Sequence, residues 1–248
     1  MKKETEGLIL KEQTVGDKDR LVTVLTKDRG VLRCFVRGAK NMKNSSFAAT
    51  QPLCYSRLSV FRGKSSYTID EAETIRLFYQ LRKDIEQLAL AQYFCELAIY
   101  AVPEETDSAE ELSLLLNCLH YLPLGTKPLK LIKAVYEVRM MTGLGYPPNI
   151  LYCTGCGCYE AELMYLDVIE NRLICSACSQ AAPGFYGLSK GAMTALRYLV
   201  LTEPKKMFSF QVSEESLEQL SQCTEAYVLE RLKQPFAALD FYRQVKSN

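Results

Sequence analysis

Arrangements of residues that could carry catalytic acid–base or phosphate chemistry are scarce in this 248-residue chain. His120 is the only histidine, and its apolar surroundings, without a suitably spaced acid, favour a structural role over that of a general base. The chain has no Gly-x-x-x-x-Gly-Lys-Ser/Thr loop to hold a nucleotide phosphate, and Tyr121 and Leu122 follow His120 where a zinc deaminase has its x-Glu. These absences argue against an enzyme.

Long apolar runs are also lacking. No stretch approaches the roughly 18 uninterrupted apolar residues of a membrane span, and the first residues contain no apolar signal core. Five cysteines lie singly in apolar segments, as expected of small hydrophobic side chains in a reducing compartment: Cys34, Cys54, Cys95, Cys118 and Cys223. We therefore expect a soluble cytoplasmic protein without a membrane partner.

Acidic residues are missing between Asp28 and Asp70, although the net charge of the chain is only +1. Residues 1–80 carry fifteen Lys or Arg against nine Asp or Glu, whereas residues 81–248 carry fifteen against twenty. A segment of one charge sign raises the local potential and suits a polyanion. The cations of this acid-free segment are Arg29, Arg33, Arg37, Lys40, Lys43, Arg57, Arg62 and Lys64.

Four of the ten cysteines form two Cys-x-x-Cys pairs. Cys153 and Cys156 are separated by eighteen residues from Cys175 and Cys178. Two such pairs supply the tetrahedral thiolate set that Zn²⁺ prefers, with Zn–S distances of about 2.3 Å. Because four protein ligands leave no position for water, the spacing predicts one structural Zn²⁺.

Two other interpretations of the cysteines stay open. The pairs could be redox dithiols, although that motif is a single pair near a βαβ pattern, which is not evident here. Cys158 follows the first pair and could replace a ligand, but Gly155 and Gly157 look like turn residues that leave it a bystander.

The first third of the chain is rich in β-branched and aromatic residues, divided by turn signals. Five short strands in about seventy residues indicate a small barrel, and the five-stranded OB-fold is the commonest such barrel that binds nucleic acid. The expected strands are Leu8–Lys11, Leu21–Thr26, Val31–Arg37, Leu53–Phe61 and Tyr67–Ile75.

From residue 81 the apolar period becomes helical. The pattern predicts a helix from Leu81 that stops before Pro103, one over Leu112–Tyr121, one after Pro128 that ends at Gly143, and two capped by Ser189 and Ser213. The expected fold class is α+β with several domains: an OB-fold barrel over residues 1–80, a helical domain over 81–149 and 183–248, and a zinc module inserted at 150–182.

The third strand carries the clearest candidate for a nucleic-acid face. Period two turns its apolar residues inward and leaves Arg33, Phe35 and Arg37 outside. Cations interleaved with aromatic rings can follow a phosphate backbone and stack bases. Tyr55 and Arg57 repeat the pattern on a later strand, and the alternative interpretation is an ordinary solvated basic face.

The polar segment 38–46 adds two further cations. It opens with glycine and is expected to be mobile without ligand, so that Lys40 and Lys43 could fold onto phosphates. Its other interpretation is a plain turn.

Several ordered motifs carry a family resemblance: Gly16–Thr26, Gly30, Val36–Lys40, Gln51–Pro52, Arg62–Gly63, the two Cys-x-x-Cys pairs, Leu188–Ser189 and Gln234–Phe241. Each motif is weak alone, but their succession over nearly the whole chain resembles the bacterial recombination mediator family RecO. Two features depart from the family's pattern. Ala237 and Ala238 stand where many members carry a basic residue and a serine, and some members lack the cysteines.

The resemblance implies a nucleoid-associated DNA-binding protein, without enzymatic activity, that anneals complementary single strands. It implies binding of single- and double-stranded DNA, and action with RecR to load RecA onto strands coated by single-strand-binding protein. The acidic C-terminal tail of that protein is expected to dock on the chain. By motif, Arg20, Arg37 and Lys40 are carried over as DNA-binding residues.

Two rival functions are considered. One is a zinc-ribbon adaptor that acts through protein–protein contacts, and the other is a zinc-dependent nucleic-acid hydrolase, which four thiolates disfavour because no metal position stays open. For docking of an acidic tail, the candidate rim cations are Lys130, Lys133 and Arg139, which could equally be a solvated helix face.

Overall fold

The computed structural model describes residues 2–16, 19–37, 46–63, 66–179 and 182–246. Its strands are β1 (Lys2–Val15), β2 (Asp19–Thr26), β3 (Val31–Val36), β4 (Cys54–Arg62), β5 (Tyr67–Leu77), β6 (Leu163–Asp167), β7 (Arg172–Cys175) and β8 (Phe185–Ser189). Its α-helices are α1 (Ser46–Ala49), α2 (Ile85–Ala101), α3 (Ala109–Tyr121), α4 (Leu129–Gly143), α5 (Lys190–Leu201), α6 (Glu214–Leu232) and α7 (Ala237–Lys246). Short 3₁₀ turns cover Tyr79–Lys83, Leu122–Leu124 and Pro204–Lys206.

Strands β1 to β5 form a closed sheet in the order β1-β2-β3-β5-β4, and β4 pairs back onto β1. All pairings are antiparallel except that of β3 with β5. β1 pairs with β4 through residues 2–8 and with β2 through residues 7–15, and a register shift between Ile9 and Lys11 accompanies this change of partner. The five predicted strands are confirmed, and β1 extends beyond Leu8–Lys11 at both ends.

The alternating residues of these strands fill the interior of the closed sheet. Leu32, Cys34 and Val36 of β3 are at most 1% exposed, which confirms the predicted inward face of that strand. Ala49 of α1 joins the same core. The other residues of β3 therefore point away from the interior.

The described residues divide into two compact units. Unit 1 comprises Met1–Leu124 and Phe236–Asn248, and unit 2 comprises Gly125–Pro235. In unit 1, α7 packs on α2, and the Ala238 N–H donates to the Glu96 carboxylate at 2.9 Å. Unit 1 therefore contains α2, α3 and α7 together with the closed sheet, whereas the boundaries at residues 80, 150 and 182 remain a prediction.

Gly30, in the turn between β2 and β3, lies against the segment that joins α2 to α3. It has φ of +63°, and a Cβ built there would lie 1.7 Å from the Pro103 carbonyl oxygen. Ser108 completes the contact, since its hydroxyl donates to the Thr26 carbonyl at 2.6 Å and accepts from the Gly30 N–H at 3.1 Å. Only glycine fits this position.

We predict that Gly30→Ala lowers the free energy of unfolding by more than about 2 kcal/mol, because positive φ and a backbone clash act together. Gly16→Ala is the matched control. Gly16 also has positive φ, of +57°, but no atom lies within 4 Å of its built Cβ, so its loss should be about 1 kcal/mol. Urea unfolding of both variants measures the difference, and equal losses would show that the Pro103 contact contributes nothing.

In unit 2, α4, α5 and α6 pack together beside a three-stranded sheet of order β7-β6-β8. β8 runs directly into α5 at Ser189, whose hydroxyl accepts from the Ala192 N–H, and the Ser213 hydroxyl accepts likewise from the Ser216 N–H. Both predicted caps and the end of α4 at Gly143 are confirmed. α7 was not predicted as a helix.

Within the described residues, no helix combines the length and the apolar character needed to cross a bilayer.

Candidate metal centre and nucleic-acid interface

The four cysteines of the two Cys-x-x-Cys pairs come together in unit 2. The Sγ atoms of Cys153, Cys156, Cys175 and Cys178 all lie within 4.8 Å of one another. A tetrahedral thiolate site with Zn–S of 2.3 Å has sulfurs about 3.8 Å apart, and those of Cys156 and Cys175 are 3.7 Å apart. The predicted ligand set is thus assembled and could hold one metal ion, for which four sulfur donors suit Zn²⁺.

Backbone geometry around the first pair explains how the sulfurs converge. The Gly157 N–H donates to the Cys153 carbonyl at 2.8 Å, and Gly157 has φ of +76°, so the chain turns back tightly. A Cβ at position 155 would lie 3.0 Å from the Cβ of Cys178. The absence of a side chain at Gly155 therefore allows the two pairs to lie close together. Cys158 is outside the group of four, although its thiol interacts with the side chains of Cys156 and Cys175. Its interpretation as a bystander stays a prediction.

The most buried sulfur of the group is surrounded by N–H donors. Burial raises the pKa of the Cys153 thiol. Hydrogen bonds from backbone N–H groups, including those of Cys175 at 3.3 Å and Gly155 at 3.4 Å, outweigh this effect and lower the pKa to about 6. Such bonds stabilise the thiolate, which is the form that binds metal.

Arg197 of α5 holds the first cysteine pair against the helices of unit 2. Its guanidinium donates to the carbonyls of Ile150 at 2.9 Å, Leu151 at 3.4 Å and Tyr159 at 2.6 Å, and it lies 3.7 Å from the Tyr159 ring centroid. The side chain is buried. Nothing in the sequence distinguishes this arginine, because its partners lie about forty residues earlier in the chain and are main-chain atoms.

The predicted face of β3 is on the outside of the closed sheet in unit 1. Arg33 of β3 is exposed, as is Arg37, which follows the end of β3 in a turn, and within the described ranges neither has an ion-pair partner. Phe35 is half-buried between them, opposite Leu21 of β2 and Thr68 of β5. We call Arg33, Phe35 and Arg37 the β3 face.

Tyr55 and Arg57 do not extend this face. They lie on β4, which is separated from β3 by β5. The Tyr55 hydroxyl donates to Glu6 at 2.6 Å, and burial together with this bond raises the pKa of Tyr55 to about 12. Arg57 pairs with Glu73 at 3.1 Å and with Glu6 at 4.0 Å. Acids from neighbouring strands thus neutralise part of the segment that is acid-free in sequence.

Arg20, carried over from the resemblance, has a packing role. It is 9% exposed, pairs with Glu12 at 3.1 Å and lies 4.5 Å from the ring centroid of Phe47. Arg20 is thus held by contacts inside unit 1, and its role as a DNA contact stays a prediction. Lys40 and Lys43 lie outside the described residues.

The three predicted rim cations of unit 2 are engaged within the chain. Lys133 is 1% exposed and pairs with Glu137 at 2.9 Å and Glu225 at 2.8 Å, so the prediction of a rim cation is corrected to that of a buried structural one. Arg139 donates to the Leu199 carbonyl at 3.2 Å and the Thr202 carbonyl at 2.8 Å, at the end of α5.

Lys130 is partly exposed and pairs with Glu218 and Glu214. Among the described residues, Lys130 differs from the other two in this respect. Its side chain is 25% exposed, whereas Lys133 is buried and Arg139 is bonded to two carbonyls.

His120 near the end of α3 has a cation rather than an acid beside it. Its Nδ1 lies 2.9 Å from a guanidinium nitrogen of Arg76. This arrangement does not resemble a base held by a carboxylate. The structural role of the histidine stays a prediction.

Comparison with known proteins gives matches along nearly the whole chain. A family model described as "Recombination protein O N terminal" matches residues 1–78, and one described as "Recombination protein O C terminal" matches residues 82–240. The two matches meet near the predicted boundary at residue 80.

Curated relatives agree with these matches. The DNA repair protein RecO of Acetivibrio thermocellus is 33% identical over 240 residues, which cover 96% of this chain and 95% of the relative. The proteins of the same name from Symbiobacterium thermophilum and Clostridium novyi are each 26% identical, over 98% of this chain and 97% and 94% of the relatives. Because both family models and these relatives match its sequence over nearly the whole length, the chain belongs to the RecO family.

Proposed function

We propose that this protein acts in DNA repair and recombination as a mediator that binds DNA and anneals complementary single strands. With RecR it would help to load RecA onto single-stranded DNA coated by single-strand-binding protein. The proposed chemistry is non-enzymatic: cations neutralise the repulsion between strands, and an aromatic ring stacks a base. The metal site has a structural role in this proposal, with Zn²⁺ bound by Cys153, Cys156, Cys175 and Cys178.

The observation that carries the proposal is the β3 face. Two exposed arginines without a described ion-pair partner flank a half-buried phenylalanine on a closed five-stranded sheet. The strand order β1-β2-β3-β5-β4, with β3 and β5 parallel, supports an OB-fold, whose strand faces bind single strands. Lys40 and Lys43 stay in the proposal as cations of the segment that follows this face, and both single- and double-stranded DNA are proposed ligands.

A salt titration of single-stranded DNA binding tests the face. We predict that the affinity falls steeply with salt, and that Arg33→Ala and Arg37→Ala each flatten the log–log slope by roughly one unit, because each removes one phosphate contact. Fluorescence anisotropy of a labelled thymidine oligonucleotide measures both quantities.

Arg57→Ala is the matched control, since Arg57 is also exposed but pairs with Glu73 and Glu6 on another part of the sheet. Its slope should stay near that of the wild type. If all three variants have the wild-type slope, the DNA-binding surface lies elsewhere.

For docking of the acidic tail of single-strand-binding protein, Lys130 and Arg139 remain proposed contacts. Lys130 is the stronger of the two, because a tail carboxylate could replace the exposed Glu214 as its partner. Docking on unit 2 and DNA binding on unit 1 would then use separate compact units.

A second candidate function, that of a protein adaptor, is favoured by an apolar groove on unit 1. The groove measures about 800 Å³ and runs between β1, α2 and α7, where Tyr100 and Phe241 are exposed. Exposed aromatic residues at a groove are typical of protein-binding surfaces. The adaptor function would be favoured if the protein keeps partner binding but either does not bind DNA or binds it with an affinity that does not depend on salt.

A further inference from the structure

A partly exposed carboxylate of unit 1 is held by side chains of the kind that can bind phosphate. Glu105 lies in the segment between α2 and α3, and its oxygens are 3.4 Å from Arg29 Nη1 and 3.4 Å from Arg62 Nη1. The Tyr67 hydroxyl donates a further hydrogen bond to the same carboxylate. Two guanidinium groups and one hydroxyl are donors that a phosphate diester can accept from equally well.

The main chain of this segment is fixed to the barrel, whereas the Glu105 side chain is not enclosed. The Glu105 N–H donates to the Arg29 carbonyl at 2.9 Å, and the Ser108 N–H donates to the Lys27 carbonyl at 3.0 Å. The side chain itself is 42% exposed. Glu105 also has φ of +59°, which is unfavourable for a residue with a Cβ. The carboxylate can therefore leave its partners while the segment stays in place.

Two hollows meet at this position. One, of about 510 Å³, is lined by Arg33 and Phe35 of the β3 face, and the other, of about 290 Å³, is lined by Lys3. Arg62 and Tyr67 line both hollows. The groups around Glu105 thus connect the β3 face to a further cation along one continuous part of the surface.

We propose that Arg29, Arg62 and Tyr67 form a phosphate subsite for single-stranded DNA, and that the Glu105 carboxylate occupies this subsite in the free protein. The inference rests on the proposed function and extends the β3 face by one phosphate. The Arg62 and Glu105 side chains are 65% and 42% exposed, and ion pairs between exposed groups contribute little stability, so a strand that also contacts the β3 face can displace the carboxylate from Arg62. Arg29 is 14% exposed and also pairs with Asp28 at 3.8 Å. Glu105 then acts as a competitor that lowers the affinity for weakly held strands.

Glu105→Gln tests the competition, since the amide keeps the size of the side chain and removes its charge. We expect the affinity for a fluorescein-labelled thymidine oligonucleotide to rise about three- to tenfold at low salt. Glu73→Gln is the matched control, because Glu73 is also an exposed carboxylate in an ion pair. Glu73 lies on β5 and pairs with Arg57 of β4 at 3.1 Å. Its affinity should change less than about twofold.

Coupling to the arginines identifies the subsite. Arg62→Ala should weaken binding, and the gain from Glu105→Gln should shrink in the Arg62→Ala background, because the two residues act on the same phosphate. Equal gains for Glu105→Gln and Glu73→Gln, or an undiminished gain without Arg62, would overturn the subsite. If the wild type binds the strand in a salt-sensitive way but Glu105→Gln gains no affinity, only the subsite is overturned. If the wild type shows no salt-sensitive binding, the proposed function is overturned as well.

Discussion

Replacing Cys153 by alanine is expected to release the metal from unit 2 and to destabilise the cysteine-bearing region. Cys153 is fully buried, and its sulfur lies within 4.8 Å of the other three. Loss of one of four thiolates removes a metal–sulfur bond that contributes directly to folding. We predict about one zinc per wild-type chain, almost none in Cys153→Ala, and a loss of stability well above the roughly 1 kcal/mol typical of a point mutation. Elemental analysis and thermal unfolding measure the two effects.

Cys158→Ala is the control for this prediction. Cys158 belongs to the same turn but lies outside the group of four sulfurs, so the variant should keep both its metal and its unfolding temperature. Equal metal loss in the two variants would mean that Cys158 is a ligand. A metal-free wild type with unchanged unfolding would contradict the structural role of the metal.

The second large effect is expected from Lys133→Ala. The Lys133 ammonium lies between α4 and α6, where it pairs with Glu137 and Glu225 and donates to the Ser221 carbonyl at 3.3 Å. Glu137 is 0% exposed, so removal of the ammonium leaves a buried carboxylate without its cation. We predict a loss of about 3–5 kcal/mol in the free energy of unfolding. Lys130→Ala, one turn earlier at a partly exposed pair, should lose about 1 kcal/mol or less.

Two further measurements distinguish charge from packing. Lys133→Met combined with Glu137→Leu should be less destabilising than Lys133→Ala, because no uncompensated carboxylate stays at position 137. Burial raises the pKa of Glu137, so the folded state holds its proton to higher pH than the unfolded state does. The Lys133→Ala penalty should therefore shrink as pH falls and grow as pH rises through the range where the folded Glu137 loses its proton. A penalty that does not depend on pH would indicate lost packing instead.

Features that depend on neighbours in sequence could be predicted. The spacing of the four cysteines indicated a tetrahedral sulfur set, and alternation along β3 placed Leu32, Cys34 and Val36 inside the sheet. Ser189 and Ser213 cap helices as expected, because a cap needs only a hydroxyl and the next turn. In each case the determining contacts lie within a few residues or within one repeated motif.

Features that depend on distant pairs could not be predicted. The acid-free segment suggested a uniformly basic surface, but Glu6 and Glu73 reach Arg57 from neighbouring strands, and Glu105 reaches Arg62 from beyond α2. The spacing of Lys133 and Glu137 is visible in the sequence, whereas Glu225, which also pairs with Lys133, lies on α6. Charge counts along a chain report composition, and only the fold decides which charges meet.

Annealing of two complementary labelled strands tests the proposed function, because it requires the protein to bind single strands and to bring them together. Wild-type protein should accelerate annealing at low salt, and the Arg33→Ala, Arg37→Ala double variant should lose most of that acceleration, while Arg57→Ala retains it. A double variant as fast as the wild type would contradict the role of the β3 face, and a wild type that does not accelerate annealing at all would contradict the proposed function.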